Sequence, residues 1–396
     1  MVPAIVLPYT GDLNPTSLGF GRKSHNAGIG LPRERAYPAF MLRERARSRC
    51  RDQLRLLADS GLDVDSLRLE ALAQMRRAIG FDLWCSPLVD PDSLIPHRPV
   101  VSDTLPFGAR LPQLLVEDQA ADEIVNRAKL ARGPDPVCVL SAATDGDLAR
   151  SRRWRDCGEP VGMGDELRAA VVDEHGCWAS FELLRGSDDP PFETEDANLM
   201  RDAARILARR LRQVSISASD DGGVDPGQTG VLLVDENLQP QGFTQAAREW
   251  LALLSAREQP EPTPLPTHVY AVVGRLLAAE AGDDPGRPAR VRIRTSGAHW
   301  AIVEAARMEG IANAIAVSVH SATAEDVLAL VARAHGLSAR ERELVALVLE
   351  GLSTRDLAER MFISRYTVQD HLKSVFDKLG VHSRRELVTG MFGQSA

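Results

Sequence analysis

Four serines near the C-terminus each stand three positions ahead of a polar partner: Ser338 with Glu341, Ser353 with Asp356, Ser364 with Thr367, and Ser383 with Glu386. A serine at a helix N-cap accepts a bond from an otherwise unpaired backbone N–H. An acidic residue three places on reaches back to the cap's own N–H. The spacing therefore predicts four helix starts, the third with Thr367 in place of the acid. Leu352 with Leu357, and Ile363 with Val368, occupy hydrophobic-staple positions around the second and third caps. Gly351 and Gly380 suit left-handed C-caps for the first and third helices. Only Phe362 and Ile363 separate Met361 from the cap Ser364, so two helices must cross sharply there.

The third helix carries the chemistry. Val368, Leu372, Val375 and Leu379 fall in one stripe, widened by Phe376, that must bury against Leu344, Val345, Val348, Leu357 and Met361. The opposite face shows Tyr366, Gln369, Asp370, Lys373 and Asp377. Long polar side chains near a helix N-terminus can reach base edges in a major groove. Glutamine and lysine suit adenine and guanine acceptors, and Asp370 can accept from cytosine N4. Ser353, Thr354, Ser364 and Thr367 stand at helix N-termini, whose free N–H groups favour phosphate oxygens. Lys378 and Arg384 add charge at the flanks. A helical unit whose polar face merely meets water would show the same stripes. Short turn, spaced caps and polar third-helix face together favour double-stranded DNA as the partner.

The charge distribution agrees. The chain of 396 residues has net charge -8, yet Gly336 to Ala396 holds nine Lys/Arg against eight Asp/Glu. That segment is at +1 and the rest at -9, so a basic face can sit on an otherwise acidic molecule.

The segment His335 to Phe392 resembles the DNA-binding domain of the LuxR family, a four-helix helix-turn-helix. The matching run is Gly336-Leu337-Ser338-Ala339-Arg340-Glu341-Arg342-Glu343, Gly351-Leu352-Ser353, Leu357-Ala358, Ile363-Ser364, Thr367-Val368, His371-Leu372-Lys373, Lys378-Leu379-Gly380 and Ser383-Arg384. The resemblance covers about one-seventh of the chain. It implies that Gln369, Asp370 and Lys373 face bases and that Thr367 sits on the DNA backbone. It also implies that Leu387, Val388 and Met391 of the fourth helix make a dimer contact. Asp370 is acidic where the family often has an apolar or basic residue.

The expected fold class is multidomain α+β, with antiparallel-sheet GAF-like and PAS-like domains followed by an all-α four-helix LuxR-type domain. Residues 1–38, rich in Gly and Pro, read as a mobile arm. From Pro38 to Ala58 a helical pattern is crowded with Arg43, Arg45, Arg47, Arg49, Arg51 and Arg55, read as a solvated surface. Strand-like runs at Pro136–Ser141, Leu167–Val172 and Cys177–Leu184 follow, the last two joined by the turn Asp173-Glu174-His175-Gly176. With an amphipathic helix over 195–214, residues 39–214 resemble a GAF domain, chiefly through Glu166 to Phe192. Residues 215–229 read as a linker. Strand Val231–Asp235, helix Thr244–Leu254, a Pro-rich loop Gln259–Pro266 and strands Ala289–Thr295, His299–Arg307 and Ile311–Val319 make 230–321 resemble a PAS domain. A connecting helix over 322–335 precedes the last unit, 336–396.

The composition excludes other classes. No apolar run approaches the roughly 20 residues of a membrane span, and no basic n-region precedes the short apolar start, so the expected compartment is the cytoplasm. Cys50, Cys85, Cys138, Cys157 and Cys177 are odd in number and dispersed, with no Cys-x-x-Cys pair, which predicts reduced thiols. His175 and Cys177 alone are weak ground for a metal, and no metal or cofactor is expected. No nucleotide-binding loop, nucleophile elbow or His-Glu-x-x-His site occurs, so an enzyme is not expected. Trp84, His97, Trp178, Trp250 and Trp300 can line ligand cavities, but core is the more frequent place for such residues. The expected function is a ligand-responsive transcriptional regulator at promoter DNA, acting as a homodimer with a small-molecule effector and with RNA polymerase as a further partner. The alternative is constitutive DNA binding, with the front domains serving only dimerisation or protein contacts.

Overall fold

A computed structural model of the chain describes residues 36–102, 106–216, 226–255, 263–284, 286–295, 300–311 and 313–392. The arm over 1–35 and most of the linker, 217–225, lie outside these residues.

The described residues open with α1 (Ala36–Ala58) and α2 (Val64–Ile79). Asp63 caps α2 by accepting from the N–H groups of Asp65 and Ser66. Next come β1 (Leu83–Val89), β2 (Pro96–Val101), the short helices α3 (Leu111–Glu117) and α4 (Arg127–Arg132), β3 (Val137–Val139) and α5 (Leu140–Ala143). The long hairpin β4 (Met163–Asp173) and β5 (Gly176–Gly186) and helix α6 (Thr194–Ser215) complete the first unit. The strands form one antiparallel sheet in the order β2-β1-β5-β4-β3. On one face Leu167, Phe181 and Leu183 pack against Leu54, Met75, Leu199 and Leu207 from α1, α2 and α6. The other face is unusual: Cys85, Glu182 and Arg168 stand side by side across β1, β5 and β4.

The arginine run of α1 is not wholly solvated. Arg47 is buried and donates to Asp196 of α6 at 2.9 Å, and Arg51 donates to Asp202 at 2.7 Å. Sequence spacing showed arginines on several faces of α1 but not the carboxylates that α6 brings to one of them.

A second sheet is built from β6 (Gly230–Val234), β7 (Pro240–Phe243), β8 (Arg290–Arg294), β9 (Trp300–Arg307) and β10 (Ile315–Ser321). Its order, β7-β6-β10-β9-β8, repeats that of the first sheet strand for strand. Helices α7 (Gln245–Ser255) and α8 (Thr267–Glu280) cover one face through Trp250, Val269, Tyr270 and Val273. α8 was not anticipated from the sequence. Gly274 lets it approach α3 closely, because a Cβ there would lie 2.7 Å from the Cα of Val116.

Five helices end the chain: α9 (Ala324–Ala334), α10 (Ala339–Leu349), α11 (Thr354–Arg360), α12 (Arg365–Leu379) and α13 (Arg384–Phe392). α9 joins everything. Its Leu328 and Leu330 share one buried cluster with Trp178 of the first sheet, Trp300 of the second, and Leu344 and Leu387 of the last helices.

Three alternate arginines of β8 tie the parts electrostatically. Arg290 donates to Asp326 of α9 at 2.6 Å, Arg292 to Asp90 after β1 at 2.9 Å, and Arg294 to the carbonyl of Ile216 after α6. Burial alone would push the Asp90 carboxyl up, but the Arg292 guanidinium holds it down at about 2. Replacing Arg292 with Ala strands that buried carboxylate. The expected loss is roughly 3–5 kcal/mol of stability, read by urea unfolding, with partial recovery in the double variant Asp90→Asn/Arg292→Met. A loss below about 1 kcal/mol would show the clasp to be unimportant.

Candidate nucleic-acid interface

The predicted caps determine the local geometry of the last unit. Ser338 and Glu341 form a reciprocal capping box at α10, as do Ser353 and Asp356 at α11. Ser364 accepts from the Thr367 N–H at 3.1 Å and opens α12. Ser383 accepts from the Glu386 N–H at 3.1 Å. Gly351 and Gly380 adopt the left-handed φ values of 84° and 68° that follow α10 and end α12. In the tight turn before α12, Phe362 takes φ 54° and is 94% exposed.

Glu341 does more than cap. Buried among the helices, it accepts from the Ser338 N–H at 2.7 Å, the Ser374 hydroxyl at 2.6 Å and Lys378 Nζ at 2.6 Å. Burial pushes its carboxyl up, yet these donors, Lys378 foremost, outweigh it and hold the pKa down to about 2. One side chain thus joins the start of α10 to the far half of α12. Val368, Leu372 and Val375 bury the inner face of α12 in the same cluster as Leu344, Leu357 and Met361.

The outer face of α12 is left open. Tyr366 is 81% exposed, and Gln369, Asp370 and Lys373 are also exposed. The side chains of these four make no hydrogen bond or ion pair among the described residues. Ser353, Thr354, Ser364 and Thr367 cluster at the N-termini of α11 and α12, with Ser364 and Thr367 hydroxyls 2.9 Å apart.

Other predicted residues are committed elsewhere. Lys378 is spent inside the unit on Glu341 and on the Gly336 carbonyl at 3.2 Å. Arg384 donates to the Leu352 carbonyl at 3.1 Å and to the Thr354 hydroxyl at 3.0 Å, pinning α11 to α13. Both were read as flanking charge because a sequence shows the cation but not its acceptor. Leu387, expected at a dimer contact, is 1% exposed and lies in the buried cluster that α9 shares with the last helices, while Val388 is 39% exposed. The side chain of Met391 lies outside the described residues.

One residue was missed. Arg365, at the first position of α12, is exposed and unpaired among the described residues. A basic residue directly after the cap Ser364 was the available signal.

This geometry has a counterpart among known proteins. Residues 335–391 match the bacterial regulatory proteins, luxR family, and the C-terminal domain is a LuxR-family helix-turn-helix domain. It is 54% identical over 52 residues, 13% of this chain and 6% of the relative, to a helix-turn-helix-type transcriptional regulator of Mycobacterium tuberculosis. It is 52% identical over 48 residues, 12% of this chain and 23% of the relative, to the transcriptional regulatory protein SgaR of Hyphomicrobium methylovorum. The monoamine regulon transcriptional regulator of Klebsiella aerogenes is 45% identical over 53 residues, 13% of this chain and 23% of the relative. The chain therefore spans under a quarter of the length of each of these relatives. A structure of SdiA in complex with octanoyl-rac-glycerol aligns over 86% of this chain and 91% of its own at 10% identity, but its TM-score of 0.29 establishes no common fold.

Glu341 makes a pH prediction. With a folded pKa near 2 and an unfolded value of about 4.3, its contribution is complete above about pH 4.3 and is lost as pH falls toward 2. Protection of α12 amides against hydrogen exchange should drop over that window. In Glu341→Gln it should already be lower at neutral pH, by of order 2–3 kcal/mol, and respond less to acid. An identical acid profile in the variant would contradict the assignment.

Proposed function

We propose that this chain is a transcriptional regulator that reads promoter DNA through α12. The observation that carries the reading is the uncovered face of Gln369, Asp370 and Lys373, held without partners over a buried apolar stripe. Gln369 and Lys373 reach adenine or guanine acceptors and Asp370 a cytosine amino group. Arg365, Ser364, Thr367, Ser353 and Thr354 face phosphates, and Tyr366 lies beside them. Lys378 and Arg384 act indirectly by holding the helices. Val388, exposed on α13, is proposed to meet a second copy.

The front units are proposed as sensors, GAF-like over 39–214 and PAS-like over 230–321, with the linker between and 336–396 as the output domain. Support comes from two antiparallel sheets of the same strand order and from α9, which touches both sheets and the output helices at once. A shift in either sheet has a packed route to α10. In the rival reading of constitutive DNA binding, DNA affinity does not respond to any small molecule; the α9 contacts favour coupling. Among the described residues no helix is long and apolar enough to cross a membrane, and the cytoplasm is the proposed compartment.

Fluorescence anisotropy on promoter duplexes tests the reading. Lys373→Ala should lose about 5- to 150-fold at the cognate site while changing affinity for random duplex little. Arg365→Ala should weaken all sequences alike and lower the salt slope by about one. Equal affinity of the unmodified protein for every duplex at matched salt would overturn it.

A further inference from the structure

The first sheet borders a partly open cavity of about 90 Å³ beneath α3, away from the face covered by α1, α2 and α6. Its walls differ in character. Phe107, Leu111, Leu114 and Leu184 make one side apolar. The other side is charged: Arg127, Arg153 and Arg168 against Asp118, Glu166 and Glu182. We propose that this cavity is a binding site for a small neutral molecule with an apolar body and one hydroxyl or carbonyl group.

The charge argument sets the neutrality. Arg127 donates to Asp118 and, at 2.6 Å, to Glu182. Arg168 donates to Asp118 and, at 3.1 Å, to Glu166, which also accepts from Arg153. Burial pushes the carboxyls of Asp118 and Glu182 up, yet the arginines hold both below the usual range. Three cations and three anions therefore cancel. A charged ligand would add a buried charge with no counter-ion, which costs far more than a hydrogen bond returns.

The polar group is set by two orphans. Arg153 and His97 line the cavity, and the Nε of the first and Nδ1 of the second are buried without a hydrogen-bond partner. Arg47, Arg210, Arg275 and Arg287 also leave a buried Nε unpartnered, and what sets Arg153 and His97 apart is that both stand at a cavity where a ligand can supply the partner. Burial pushes His97 down to about 3, so its ring is neutral and Nδ1 can donate or accept. Arg153 Nε–H requires an acceptor. A hydroxyl or carbonyl oxygen satisfies Arg153, and a hydroxyl suits either tautomer of His97. His97 was read as core; it is buried, but as part of the cavity wall.

The size gives binding a consequence. Cavities that admit benzene measure about 150 Å³, so a ring-sized ligand must lift α3. Gly274 in α8 lies so close to the backbone of Val116 in α3 that even a Cβ would collide with it. α8 then moves with α3, which carries occupancy from the first sheet to the second. Binding itself stands without the regulator reading; its effect on transcription rests on that reading.

The test uses the full chain without DNA and follows thermal unfolding with phenol and cyclohexanone as neutral probes and benzoate and benzylammonium as charged ones. A neutral probe should raise Tm by about 2 °C or more, the charged ones by less, and Leu114→Trp, which fills the cavity, should remove the shift. Independently of that variant's folding, the neutral probe should slow modification of Cys85, on the cavity wall, by methyl methanethiosulfonate in the unmodified protein. No shift and no protection would mean that the cavity holds water only and would overturn the proposal. So would stronger stabilisation by a charged probe, or a shift that survives Leu114→Trp. Because DNA is absent, such failures leave the assignment of α12 untouched.

Discussion

A carboxylate taken out of water must be given donors on every side, and Glu341 receives them from three directions. The N–H of Ser338 belongs to the start of α10, while the Ser374 hydroxyl and the Lys378 ammonium belong to α12. Removing any donor leaves buried charge less well solvated, so the two helices are held in one relative pose. Once that pose is set, Val368, Leu372 and Val375 face inward and the side chains one step around the helix face out. The exposed face proposed to read DNA is thus a consequence of an interaction on the opposite side of the same helix. Arg384 performs a similar task at α11 through Leu352 and Thr354.

The same economy of charge recurs through the molecule. Arginine is the main cation, and the structure uses it to join segments distant in sequence: Arg47 with Asp196, Arg292 with Asp90, and Arg212 with Asp173 and the Ala334 carbonyl at the end of α9. Planar guanidinium groups suit such sites because several donors leave one rigid fork. Lys373, Arg365 and Gln369 have no partner among the described residues on the surface of α12, and Arg153 Nε is one of several such atoms in the interior. The proposals assign the former to DNA and the latter to a small molecule.

What could be read in the sequence follows the range of the forces involved. Caps, staples and the two-residue turn before Ser364 are local, and they were legible residue by residue. The β4–β5 hairpin and α6 were legible for the same reason, through alternation and a one-sided apolar stripe. Helix α8 was not, because residues 268 to 275 are buried on all sides between the second sheet and α3, which erases the amphipathic period. Strand β2 was hidden by Pro96 and Pro99, which are tolerated because it lies at the sheet edge. Lys378, Arg384 and Leu387 were placed on the correct helices but given outward roles. Their partners come from elsewhere in the last unit or, for Leu387, from the cluster around α9, and no local pattern announces them. The charged cavity wall was invisible because its six ionisable groups span residues 118 to 182 and meet only across the sheet.

The central claim is spatial: the outer face of α12 enters the major groove. A photoreactive amino acid in place of Gln369, irradiated with the full chain on bound promoter duplex, tests it directly. Cross-links to one or two defined base pairs at each site, absent when the probe is moved to the buried Leu372 position, are the predicted result. Cross-links to this chain's own front units, or none to DNA while binding is intact, would contradict the account.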